Sequence, residues 1–238
     1  FLDLCLLTRA ALLLGASSHF IKTAAMISGA EIVDVDAWMD VETQKEMLLR
    51  DIADASCWEQ LGPEGPLELA AACQAVCHHH WDGLQMSEQA QLLVAAHRSD
   101  PANPVLWLAR ISASLRDGGR QGCVDLCERF SDQREALEAL LRLAIHQYED
   151  SRKTPFDKLI HARGFLTQQD WLRLQAADAG SRAPVLLFVA AMQRLAVARI
   201  GEGIEILMGA MAGLDAHRHP SLAEVCEAGI SYMTRRRI

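Results

Sequence analysis

Apolar positions along this chain recur three and four residues apart, in stretches that open on a capping residue or a proline and close on glycine. That is the pattern of amphipathic helices. After GPEGP at 62–66, one such stretch runs to Trp81 and stops at Asp82-Gly83. Ser87 then offers a hydroxyl as N-cap for a helix to Arg98. SDPANP at 99–104 reads as a loop that ends with Asn103 as cap and Pro104 at the first helical position, where its missing N–H costs nothing. VLWLARISASLRD follows, and Gly118-Gly119 closes it, since glycine takes the left-handed C′ conformation without strain. Asp132 with Glu135, and Thr167 with Asp170, have the spacing of capping boxes. Pro155, Pro184 and Pro220 stand where helices begin, and Gly164, Gly180 and Gly201 where they end.

The result is an all-α expectation: roughly a dozen helical segments, with no sustained period-two run. The opening FLDLCLLTRAALLLG has the apolarity of a secretory leader, but Asp3 and Arg9 break that pattern, so it reads as a core helix. EIVDVDA at 31–37 is the least helical stretch, and its β-branched residues fit a short extended segment before AWMDVETQKEMLLRDIADA turns helical. The chain divides in this reading into an N-terminal helical segment, 1–61, and a helical repeat domain, 62–238. APVLLFVAAM at 183–192 is too short to cross a bilayer, so no membrane span is expected. The apolar start and the absence of an initiator Met fit a segment of a longer polypeptide.

Two stretches look alike. NPVLWLARISASL carries its PVL from Pro104 and APVLLFVAAMQRL from Pro184, each followed by a turn and a second helix. A recurring helix-turn-helix unit is the mark of an α-solenoid. Leu108, Ile111, Ser112 and Leu115 in a first helix, Gly118-Gly119 in the turn, and Cys123, Cys127 and Phe130 in a second make residues 104–130 resemble a degenerate tetratricopeptide repeat. SDPANP resembles that family's loop between repeats. Most of the motif's aromatic residues are missing, and the registers of the two helices differ by one residue. The resemblance implies stacked antiparallel helical hairpins and a protein-interaction groove lined by exposed residues of each first helix. In the best unit these are Arg110, Ala113 and Arg116, which suit an acidic or extended peptide. Trp107, beside Leu108 on the apolar stripe, is expected in the core.

Composition narrows the function further. A formal charge of −8 without a basic stripe excludes a nucleic-acid binder. Arg235, Arg236 and Arg237 read as a solvated tail. Seven cysteines, an odd number in a chain long enough to need no staples, fit a reducing, cytoplasmic setting.

AACQAVCHHHWDG at 71–83 is the one stretch with metal-ligand chemistry. On a helical wheel, Leu69, Ala70, Cys73, Val76, Cys77 and Trp81 share one arc, with His80 at its edge, while His78 and His79 fall on the other side. Only Cys73, Cys77 and His80 can therefore act together, and they lack the usual C-x2-C knuckle. Cys123 and Cys127 repeat the four-residue spacing, as small residues filling a core do. Asp34 and Asp36 have no phosphate-cradling loop beside them, and His217 and His219 read as a polar loop. The leading expectation is a non-catalytic interaction scaffold that needs no cofactor and binds a protein or peptide partner. The alternative is an all-α enzyme or accessory domain with a metal at Cys73, Cys77 and His80.

Overall fold

The computed structural model describes residues 12–14, 19–33, 40–54, 58, 60, 62–150, 155–161, 164–181 and 183–236. It falls into two compact units, Phe1–Asp51 and Ile52–Ile238. In the first, β1 (Leu12–Leu14) pairs in parallel with β2 (Glu31–Val33), Leu13 opposite Ile32. Helix α1 (His19–Ser28) makes the crossover that a parallel pair requires. Glu31–Val33 is extended, as its β-branched residues suggest. Leu12–Leu14 is a strand and not part of a core helix: three leucines carry no period of their own, and pairing with β2 decides their state. Residues 1–11, Asp34 and Asp36 lie outside the described residues. Helix α2 (Val41–Ala53) begins after Asp40, whose carboxylate accepts from the Thr43 N–H at 3.0 Å.

The second unit is all-α. Its helices are α3 (Gly65–His80), α4 (Met86–Ser99), α5 (Pro104–Arg116), α6 (Arg120–Ser131), α7 (Arg134–Glu149), α8 (Phe156–His161), α9 (Gln168–Ser181), α10 (Pro184–Ala196), α11 (Ile200–Ala212) and α12 (Pro220–Arg236). Helices α3/α4, α5/α6 and α10/α11 pack as sequential pairs. Helix α5 also packs on α9, and α7 on α10 and α12, so partners meet across long stretches of chain. No described helix is long and apolar enough to cross a membrane.

Punctuation explains most boundaries. The Asn103 side chain accepts from Val105 N–H at 3.1 Å ahead of Pro104. Thr167 and Asp170 exchange the two bonds of a capping box, each at 3.1 Å. Four assignments differ. Helix α4 starts at Met86, with Glu88 accepting the Gln85 N–H at 2.7 Å, so Ser87 is already helical. Helix α7 has Gln133 as an N-cap without a side-chain bond, because Asp132 is turned to His219 at 2.8 Å. Gly201 lies inside α11, and Gly180 inside α9, rather than after a helix.

The core runs through α4, α5, α7 and α10, with Leu92, Leu106, Leu108, Ile111, Leu137, Leu140, Leu186 and Phe188 fully buried. Trp107 is buried as its stripe requires, its Nε1–H donating to the Pro101 carbonyl at 2.9 Å. Asp170 is buried too, and each of its carboxylate oxygens is occupied. Oδ1 accepts from Ser112 on α5 at 3.0 Å and from Arg173 at 2.7 Å, and Oδ2 accepts from the Thr167 hydroxyl at 2.6 Å. This capping box therefore also fastens α9 to α5.

Candidate functional site

Arg110, Ala113 and Arg116 lie along α5, all half-buried rather than fully exposed. Arg110 turns toward the neighbouring helices, and its Nη1 donates to Nδ1 of buried His97 on α4. An imidazole nitrogen that accepts is unprotonated, so His97 is neutral here with its proton on Nε2. Burial, then the charges of Arg110 and Arg129, push the His97 pKa down to about 4. Burial followed by Arg129 and Arg98 lowers the pKa of Arg110 as well. Beneath them, the His97 ring stands edge-on to Trp107 at 4.2 Å between centroids, and Trp107 stacks on Phe130 at 5.4 Å. Arg116 Nε lies 3.7 Å from Asp117, beyond hydrogen-bond reach.

Arg98 and Arg129, which the sequence reading passed over, thus lie close enough to Arg110 for their charges to act on it. The signal for them was present: each is a cation in the last turn of its helix, α4 or α6, where the carbonyl ends favour positive charge. Their convergence on Arg110 is a tertiary fact that no local pattern carries.

Cys73 and Cys77 are buried in the face that α3 presents to α4. Burial pushes the Cys73 thiol up to about 12 and raises that of Cys77 as well. The side chain of His80 lies outside the described ones. Among the described residues, no three His, Cys, Asp or Glu side chains converge as a metal site would require. Cys123 and Cys127 share the burial, and Cys127 is raised to about 12.

Two clefts open beside these pairs. One of about 650 Å³, between the end of α3 and the α8–α9 segment, is lined by Cys77, His78, Trp81, His161 and Trp171. His161 Nδ1–H donates to the Leu166 carbonyl at 2.6 Å, which orients the ring. Gly164, at φ +75°, lets that loop approach α3: a Cβ there would lie 3.1 Å from the Gln74 carbonyl oxygen. The other cleft, of about 810 Å³, lies between α6, the start of α10 and the α11–α12 loop. Cys123, Cys127 and Val185 contribute to its walls, and the Arg218–Glu128 ion pair at 3.1 Å joins the loop to α6. Against known proteins, no family model, no curated protein and no solved structure matches this chain.

Proposed function

We propose that this chain is a non-catalytic scaffold of stacked, tetratricopeptide-like helical hairpins that binds a protein or peptide partner. The observation that carries the reading is a duplicated hairpin. Helix α5, its turn and the start of α6 recur 80 residues on as α10, its turn and the start of α11: 104–116 becomes 184–196, and 120 becomes 200. The turn bonds recur with the same shift. Gly119 N–H to Ser114 O at 3.1 Å matches Arg199 N–H to Arg194 O at 2.8 Å. Repeated hairpins present extended surface and need no cofactor to do so. The half-buried α5 arginines give that surface a positive spot on an acidic chain, which favours an acidic partner. Among the described residues, five free, buried thiols support a reducing, cytoplasmic setting.

The test is recovery of a partner from the native host, followed by the double variant Arg110→Glu with Arg116→Glu. Partner affinity is expected to fall with helicity unchanged, and the wild-type association rate to drop as salt rises. Affinity retained by the variant at every ionic strength would remove both arginines from the docking surface.

A further inference from the structure

Most described arginines in this acidic protein sit beside a carboxylate. Arg134 pairs with Glu138 and Glu224, Arg173 with Asp170, Arg194 and Arg199 with Glu202, and Arg236 with Glu149. Arg98, Arg110 and Arg129 form no such pair among the described residues; they come from three successive helices, Arg98 next in the chain to His97, which accepts from Arg110, and Arg129 next to Phe130 of the same ring stack. Arg98 and Arg129 are offset by the carbonyl ends of their helices. Arg110 is not. It lies within α5, half-buried, against a neutral imidazole, with two cations as its charged neighbours. A partly desolvated cation without a counter-charge is costly, and removing the cation or supplying an anion relieves it.

We propose that Arg98, Arg110 and Arg129 form an oxyanion seat, which takes a carboxylate or phosphate group of an acidic peptide segment in a protein partner. The inference rests on the scaffold reading and names the chemistry of its docking point. Guanidinium groups suit the task because their planar N–H forks match carboxylate and phosphate oxygens. The seat is held in advance, since His97 accepts from Arg110 while packed edge-on to Trp107, itself stacked on Phe130. A peptide suits the seat better than a nucleic acid. The net charge of −8 over the whole chain repels a long polyanion, whereas one or two oxyanions fit a local field of opposite sign.

Fluorescence anisotropy with three labelled peptides of equal length tests this: an oligoglutamate, a single-phosphoserine peptide that is otherwise neutral, and an oligoglutamine control. The full chain is expected to bind at least one of the first two and not the third, with affinity that weakens as salt is raised. Tighter binding of the phosphopeptide assigns phosphate as the natural group, and tighter binding of the oligoglutamate assigns carboxylate. Arg110→Gln is expected to weaken that binding at least about tenfold, the value of one charge-assisted contact. Because Arg110 also supports His97, the exposed pair Arg98→Gln with Arg129→Gln serves as the second variant, with an unchanged melting curve and a comparable loss. Equal binding of all three peptides, or wild-type affinity in both variants, overturns the seat. A host partner that still binds the Gln variants at full strength overturns the seat but leaves the scaffold standing. Peptide binding lost in the Gln variants, with no partner recovered from the host, upholds the seat and removes the support for the scaffold.

Discussion

At the scale of single residues, the cysteines give the clearest energetic signature. Burial pushes the thiols of Cys73, Cys127 and Cys226 up to about 12. In the unfolded chain they ionise near the ordinary value of about 8.5. Above that pH the unfolded state binds fewer protons than the folded one, so stability falls as pH rises. The contribution is whole below about 8.5 and is withdrawn progressively toward about 12. One pH unit above the unfolded value, each buried thiol has withdrawn about 1.4 kcal/mol. Urea unfolding at pH 7 and at pH 9.5 should show this loss, and Cys226→Ala should make the difference between the two smaller by about 1.4 kcal/mol. An undiminished difference would mean that the Cys226 thiol meets solvent in the folded state. The same burial places both cysteines of CQAVCHHH, the most chemical-looking stretch of the sequence, in the core.

At the scale of elements, local grammar was readable wherever the chain satisfied its own helix ends, and unreadable where a distant residue did so. Asn103, Pro104, Gly118 and the Thr167–Asp170 box mark their boundaries because the interactions that cap those helix ends are local. Asp132 failed as a cap because His219, far along the chain, takes its carboxylate. Leu12–Leu14 failed as a helix because β2 pairs with it. The turn after α10 failed for another reason. Gly201 looks like the terminator, but Ala198 occupies the left-handed position at φ +62°, where the first hairpin has Gly118 at φ +72°. The bond from Arg199 N–H to Arg194 O fixes that conformation whatever residue stands there. An L side chain in the left-handed region costs about 1–2 kcal/mol, part of which glycine returns through its freer unfolded chain. Ala198→Gly should therefore stabilise the protein by up to about 1 kcal/mol. Gly118→Ala, whose added Cβ would meet nothing within 4 Å, should destabilise it by about as much. Paired thermal melts check both signs, and a stabilising Gly118→Ala would show that the two turns are not equivalent.

At the scale of the whole molecule, Arg110 could be singled out from sequence, but His97, Arg98 and Arg129 could not, since three helices must pack before they meet. The same holds for the bonds that tie helices of the second unit together across long stretches of chain. Ser112 holds Asp170 at 3.0 Å, Arg134 holds Glu224 at 2.8 Å, and Glu149 accepts from both Tyr232 at 2.9 Å and Arg236 at 2.7 Å. Arg236, read from sequence as part of a solvated tail, is thus engaged by Glu149 and lies over the Tyr232 ring at 5.5 Å. Helix α12 also packs closely: a Cβ at Gly229 would lie 3.1 Å from Leu207 on α11, 3.7 Å from Met192 on α10 and 3.8 Å from Leu141 on α7. In an open stack each unit contacts only its neighbours in sequence, so removing the last helix weakens the last hairpin and little else. Here α7 faces α12 directly although four helices separate them in the chain. Ending the chain after Gly213 removes buried Leu222, Val225, Cys226 and Met233, each large apolar side chain contributing about 1.5–3 kcal/mol of burial. Hydrogen exchange in that truncated chain should accelerate in α7 along with α10 and α11, while α3 and α4, which do not depend on α12 for their pairing, keep their protection longest. Acceleration confined to α10 and α11 would show instead that stability adds along the chain, hairpin by hairpin, as in an open solenoid.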